Sequence, residues 1–327
     1  MWKSIVAGAL DRADVSVARI RRAVSRPQTL TVLLLHAITR GFNDADCRGL
    51  DPVQAVTVGQ LETLLDCCQQ AGCTFVSPAD VRQGRTGPRS VLLTFDDGYF
   101  NNHLAFDILG RRGIPSVLFI STGHIEGGKK FWWDVVHAER ARQGATPMQI
   151  SREKSTLKLR PYYEIERHID DTFGRDAWRP TGDADRPMSP EELARLAGDP
   201  LITIGNHTVH HAILTALSPA EALAEIEGAQ ASIASITGCR SEVISYPNGN
   251  CSPAIREIAV RQGLRIGLTV RPRQNRLPFV DGMGALRLAR FCISGDRDIP
   301  AQFEACLGEP RFDTPSAIEG AFRRDTL

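Results

Sequence analysis

From Leu30 onward the chain alternates between two patterns: short apolar, β-branched runs, and longer segments whose apolar residues recur at helical spacing. The short runs predict strands over residues 31–36, 74–77, 90–95, 116–121, 201–205, 243–246, 265–270 and 287–293. The spacing predicts helices over 58–71 and 102–112, the second stopped by Gly113. A third helix is signed at both ends: Ser218 caps it, Pro219 takes its first position, Glu221 closes a capping box and Gly238 ends it. A fourth, over 252–262, begins with Ser252 and Pro253 and stops at Gly263.

Strands separated by single helices must pair in parallel through crossovers, and this many repeats suits a closed or nearly closed (β/α) barrel. An open doubly wound sheet is the other architecture the pattern allows. Between about residues 123 and 190 the alternation breaks. That stretch holds Phe131-Trp132-Trp133-Asp134, a charged helical portion and a Gly/Asp/Pro-rich run at 181–187, and reads as an insertion over one face. The expected organisation is an N-terminal segment over 1–29, a barrel domain over 30–300 carrying the insertion, and a tail over 301–327. In the first segment Val15, Val17, Ile20 and Val24 interleave with five arginines, which suits either a solvated helix packed on the domain or one lying on anionic lipid.

Composition narrows the function classes. The 327 residues are 42% hydrophobic, and 39 Lys+Arg against 38 Asp+Glu leave no basic excess to wrap nucleic acid. The balance favours a neutral, aromatic-lined groove over a polyanion track. No run of 18 apolar residues offers a transmembrane helix, and the apolar stretch at 5–10 is shorter than a secretory signal requires, so the expected location is the cytoplasm or the inner face of its membrane. The eight cysteines form no CxxC pair and are expected as reduced thiols, with Cys67, Cys68 and Cys73 packed in a core.

Three motifs sit where predicted strands run out. Asp96-Asp97-Gly98 places two carboxylates at a strand end, where one can bind a metal while the other faces its bound water; a plain Asp-Gly turn is the bland alternative. His207-Thr208-Val209-His210-His211 holds three of the eight histidines, and a tight turn would set His207 and His211 on one side. Two imidazoles and a carboxylate with one open position are the ligand set of a catalytic divalent metal, usually zinc. Tyr246-Pro247-Asn248-Gly249 is a turn first and a groove wall second.

In identity, order and strand-end context these motifs resemble those of the NodB-homology polysaccharide deacetylases, over roughly residues 30–293. The resemblance implies a distorted (β/α) barrel with a helical insertion. It also implies a metal-dependent hydrolase that removes acetyl groups, chiefly N-acetyl, from a sugar of a surface polysaccharide or a lipid-linked precursor, cleaving an amide that is not a peptide bond. Asp97, His207 and His211 would bind the metal, Zn2+ first with Co2+, Ni2+ or Mn2+ as alternatives, and Asp96 would be the general base. Bound metal lowers the pKa of water toward about 7 and polarises the acetyl carbonyl. Tyr246, Pro247 and Asn248 would line the substrate and oxyanion side, with a backbone N–H near Tyr246-Pro247 facing the developing charge.

Two positions depart from the family pattern. Ser245 stands where many members carry the arginine that orients the base, and Arg290 in Leu288-Ala289-Arg290-Phe291 either supplies that charge or is a surface arginine. No histidine follows His211, so the usual late proton donor is missing; Asp96, a metal-bound water, His36, His103 or His210 would have to serve. These departures motivate a second class, a catalytically silent glycan-binding protein of the same fold. Trp132 and Trp133 either stack on sugar rings or pin the insertion to the barrel.

Overall fold

The structure, a computed structural model, describes residues 28–42, 47, 49–51, 53, 55–279 and 283–308. The amphipathic segment read over residues 1–27 and the chain beyond 308 lie outside the described residues.

One sheet organises the fold. β1 (Gln28–Leu35), β5 (Arg89–Phe95), β6 (Ser116–Ile120), β7 (Ile202–Asn206), β8 (Val243–Ser245) and β9 (Ile266–Leu268) run parallel in that spatial order. The short β4 (Thr74–Phe75) also pairs with β5, and β2 (Ala37–Thr39) and β3 (Ala55–Thr57) form a separate parallel ribbon. On the free edge of β1, β10 (Asn275–Leu277) pairs antiparallel with its first half, and β11 (Phe291–Cys292) pairs parallel with Leu33 and Leu34. Leu288 bridges Leu268 of β9, so residues 288–292 span from one edge of the sheet to the other and the sheet curls into the expected distorted barrel. The strand read over 287–293 is shorter than its apolar pattern suggests, because Gly284–Arg287 forms a 3-10 turn and only Phe291–Cys292 joins the ladder.

Period-two alternation explains why these strands read as nearly continuous apolar runs. Leu30 and Val32 of β1, Leu92 of β5, and Val117 and Phe119 of β6 share an interior cluster with Val243, Ile266 and Leu268. Their neighbours Leu33, Leu35, Leu93, Phe95, Leu118 and Ile120 pack outward under helices, so both faces of the sheet are buried. The covering helices include α1 (Val58–Gln70) and α3 (His103–Arg112), while the five-residue α2 (Pro78–Arg82) follows β4. Cys68 lies in that outer core beside partly buried Cys67 and Cys73, and burial raises all three thiols.

The stretch between β6 and β7 contains α4 (Thr122–Gly127), α5 (Trp132–Arg142), α6 (Pro147–Leu157), α7 (Tyr162–Phe173) and α8 (Pro190–Leu196). Trp132, Trp133, Val136, Leu157 and Ile165 form a core of their own around Tyr99 and Phe131. α9 (Pro219–Thr237) and α10 (Pro253–Arg261) are the two helices with the clearest end signals, and Ser218, Glu221 and Gly238 (φ +83°) cap α9 as its sequence requires. At the C-terminal side, α11 (Ile299–Leu307) buries Ile299, Phe303 and Cys306 in the outer core, so a boundary drawn at residue 300 cuts through a packed helix. Among the described residues no helix is long and apolar enough to cross a membrane.

Candidate active site

Parallel strands deliver their C-terminal ends to one rim. There β1 leads to His36, β5 to Asp96 and Asp97, and β7 to His207. All four line a cleft of about 480 Å³, together with His211. Four of the motif residues, Asp97 (φ +79°), Thr208 (+66°), His211 (+54°) and Asn248 (+57°), are non-glycine residues in the left-handed region. Such strain persists only where the surrounding structure holds it, and here it falls in all three motifs.

Asp97 Oδ1 is buried and makes no hydrogen bond. Nε2 of His207 and Nε2 of His211 each lie 3.5 Å from it, and ligand atoms of the three residues fall within 4.8 Å of one another. His207 Nδ1 donates to the Ser245 carbonyl at 2.7 Å, which orients the ring and turns Nε2 toward the cluster. Burial raises the Asp97 carboxyl, but the facing His207, His211 and His36 imidazoles outweigh it and the net direction is down. Burial and then the His207 charge push His211 down to about 3, leaving it a neutral imidazole. One orphaned carboxylate oxygen and two imidazole nitrogens, all buried and converging, fit a divalent metal of the zinc type by donor chemistry.

Beside this cluster Asp96 is clamped. Arg290 donates from Nη1 to Oδ1 and from Nη2 to Oδ2, both at 2.8 Å, and Ser245 Oγ donates to Oδ2 at 2.9 Å while accepting from Arg290 Nη2 at 2.7 Å. Arg290 is fully buried, so it is no surface arginine. Its remaining donors go to Thr94 Oγ1 and the Thr269 carbonyl. With every N–H used internally, Arg290 has none to offer a substrate or an oxyanion, and it acts on Asp96 instead. Burial works against ionised Asp96, yet Arg290 and then His207 overcome it and hold the carboxyl well below the usual carboxylate range.

Other sequence expectations divide on geometry. Tyr246 is buried; its hydroxyl donates to the Leu286 carbonyl and its backbone N–H to the Leu268 carbonyl. That N–H is therefore committed to the sheet and does not face the cleft, and Pro247 has none to give. Asn248 does line the cleft. Trp132 and Trp133 line it as well, but both are buried, and Trp133 Nε1 donates to Tyr99, whose hydroxyl donates to Asp134. Trp133 meets the His211 ring at 4.7 Å and so braces a metal-cluster residue from the insertion's own core. Of the three histidines among the alternative proton donors, only His36 lines the cleft, where Asp96 also stands. His210 pairs with Glu225 and stacks on Tyr162, and His103 bonds the Phe100 carbonyl.

Three cations, Lys154, Lys158 and Arg160, line the cleft, all from the insertion, and three carboxylates, Asp51, Asp96 and Asp97, line it with them. In sequence the cations belong to a charged helical portion with no feature separating a cleft-facing row from a solvated one.

A sequence model of the polysaccharide deacetylase family matches residues 83–267, more than half of the chain. The chain belongs to the polysaccharide deacetylase family. Its members are carbohydrate esterases, and the activity of the class is hydrolysis of N-acetyl amide bonds. No curated protein matches the chain. Among solved structures, the deacetylase is similar to IcaB from Ammonifex degensii (20% identity, TM-score 0.58, covering 86% of this chain and 98% of that one). It is also similar to a polysaccharide deacetylase from Bacillus cereus (16%, 0.58, 86% and 69%) and to the Streptococcus pyogenes deacetylase PplD in complex with acetate (15%, 0.57, 86% and 99%). At these identities the likeness is one of fold.

Proposed function

We propose that this deacetylase removes N-acetyl groups from a sugar of a surface polysaccharide or its biosynthetic precursor, with Asp97, His207 and His211 holding a divalent metal, Zn2+ by donor type, and Asp96 as general base. The observation that carries the reading is the orphaned Asp97 Oδ1 between two imidazole Nε2 atoms, beside a carboxylate clamped by a buried arginine. When bound, the metal supplies Lewis acidity toward the acetyl carbonyl and activates a water. Asp96 is kept ionised by Arg290 and oriented by Ser245, so an oxygen is ready to accept that water's proton. Ser245 thus completes the clamp, with Arg290 supplying the charge from another strand end.

The leaving nitrogen must gain a proton, and His36 is the histidine placed for it. It lines the cleft beside Asp96 and Asp97, and its protonated ring would pass a proton to the nitrogen as the C–N bond breaks. Trp132 and Trp133 close one wall of the cleft and exclude water from the reacting centre.

The test is acetate release from N-acetylated glucosamine oligomers by metal-loaded protein, with metal content measured in parallel. Asp96→Asn is expected to keep the metal and lose turnover by at least a hundredfold, whereas His207→Ala loses both. Full activity in Asp96→Asn would overturn the base assignment. Tight glycan binding without turnover at any metal loading would favour the silent binding protein.

A further inference from the structure

On α6 the residues that face the cleft are Ser151, Lys154, Ser155 and Lys158, counting the residue that caps the helix, and Arg160 follows in the connection to α7. Their spacing of three, four and seven marks one helical face, and that face is turned toward the catalytic rim. Lys154 bonds Asp51, a buried carboxylate that also lines the cleft. Lys158 and Arg160 have no such counter-ion: among the described residues neither side chain makes an ion pair or a hydrogen bond. Both side chains are exposed, as are Ser151 and Ser155, so the row forms the outer, solvent-open edge of the cleft. The carbonyl end of α6 favours a cation nearby, but that local effect does not explain why the row opens into the same cleft as the Asp–His cluster.

We propose that Lys158 and Arg160, with the Ser151 and Ser155 hydroxyls, form a phosphate subsite, and that the acetylated sugar this protein takes carries a phosphate or diphosphate ester. The inference rests on the deacetylase reading and adds the substrate class. Two unpaired cations on separate elements match a multiply charged group: the guanidinium fork takes two oxygens, the ammonium and the hydroxyls take others. A single carboxylate would be satisfied by Arg160 alone. The phosphate would meet the exposed row while the acetamido group turns toward the Asp97–His207–His211 cluster. Such an ester comes from either of two sources, a nucleotide-linked or a polyprenyl-linked sugar.

The experiment compares acetate release from UDP-N-acetylglucosamine, a short-chain prenyl diphosphate N-acetylglucosamine and neutral N-acetylchitotetraose by the metal-loaded full chain. At least one phosphorylated substrate is expected to show kcat/KM tenfold or more above chitotetraose, and which one identifies the source. Lys158→Gln combined with Arg160→Gln should raise its KM tenfold or more, flatten its salt dependence, and leave chitotetraose turnover unchanged. Preference for chitotetraose, or an equal loss on all substrates in the double variant, overturns the subsite. Calorimetric titration with inorganic pyrophosphate separates the two readings. If no substrate releases acetate, the deacetylase reading fails, and the subsite then stands or falls on whether pyrophosphate binds wild type and not the double variant.

Discussion

Replacing Arg290 tests the clamp on Asp96 most directly. Arg290→Gln removes five hydrogen bonds, to Thr269, Thr94, Ser245 and both Asp96 oxygens, and leaves Asp96 buried without its counter-charge. Arg290 is 0% and Asp96 3% exposed, so solvent screens little of the pair. Breaking one side of such a pair costs about 3–5 kcal/mol. That is a large fraction of the roughly 5–15 kcal/mol that holds a typical domain folded. The sign with pH follows from the direction of the shift. In the wild type the Asp96 carboxyl lies below its ordinary 3.8, so its contribution is fully present above that value and is lost only as pH falls through the folded pKa. Without Arg290 burial dominates and the carboxyl moves upward, so the variant suffers most at neutral pH and recovers toward wild type as acid protonates Asp96. Urea unfolding of metal-loaded protein between pH 4.5 and 8 should therefore show a stability gap that narrows on acidification. The acid limb of kcat/KM should move toward neutrality, with Arg290→Lys intermediate because it keeps the charge and loses the fork. A gap that is constant with pH, together with an unmoved acid limb, would refute the clamp.

Three further outcomes are expected. Tyr99→Phe strips the partner from both Asp134 Oδ2 and Trp133 Nε1, two buried polar atoms at roughly 1–3 kcal/mol each, and should lower the melting temperature and weaken metal binding through the Trp133–His211 contact; unchanged metal affinity would disconnect the insertion from the site. His124 is 1% exposed and its pKa is pushed down to about 4, chiefly by burial, so it folds neutral. The unfolded chain takes up that proton below about 6.5, so about 3 kcal/mol of stability is lost as pH falls from 6.5 to about 4, and His124→Gln should flatten that slope in thermal melts. Gly205→Ala would set a Cβ 2.2 Å from Cδ1 of the buried Phe119, so the ring must shift; a cost of about 1–3 kcal/mol should appear as a lower melting temperature, and an unchanged one would show that the interior can yield.

Much of this protein is written in local pattern. Paired apolar faces dictated the parallel strands, cap residues such as Ser218 and Gly238 set helix limits, and a strand ending in Asp96-Asp97 or Gly205-Asn206-His207 already placed the chemistry on one rim. These features are legible because they depend on neighbours a few residues away. The tertiary structure alone decided what depends on distant partners. It placed Arg290, 194 residues from Asp96, as a buried clamp that no local spacing could distinguish from a surface arginine. It also brought His36, and neither His103 nor His210, into the cleft, committed the Tyr246 N–H to Leu268, and turned one charged helical row toward the cleft. A side chain's period along the chain tells which residues share a face. Whether that face meets water, a core or the catalytic rim is settled only when the sheet has curled and brought its far edges together.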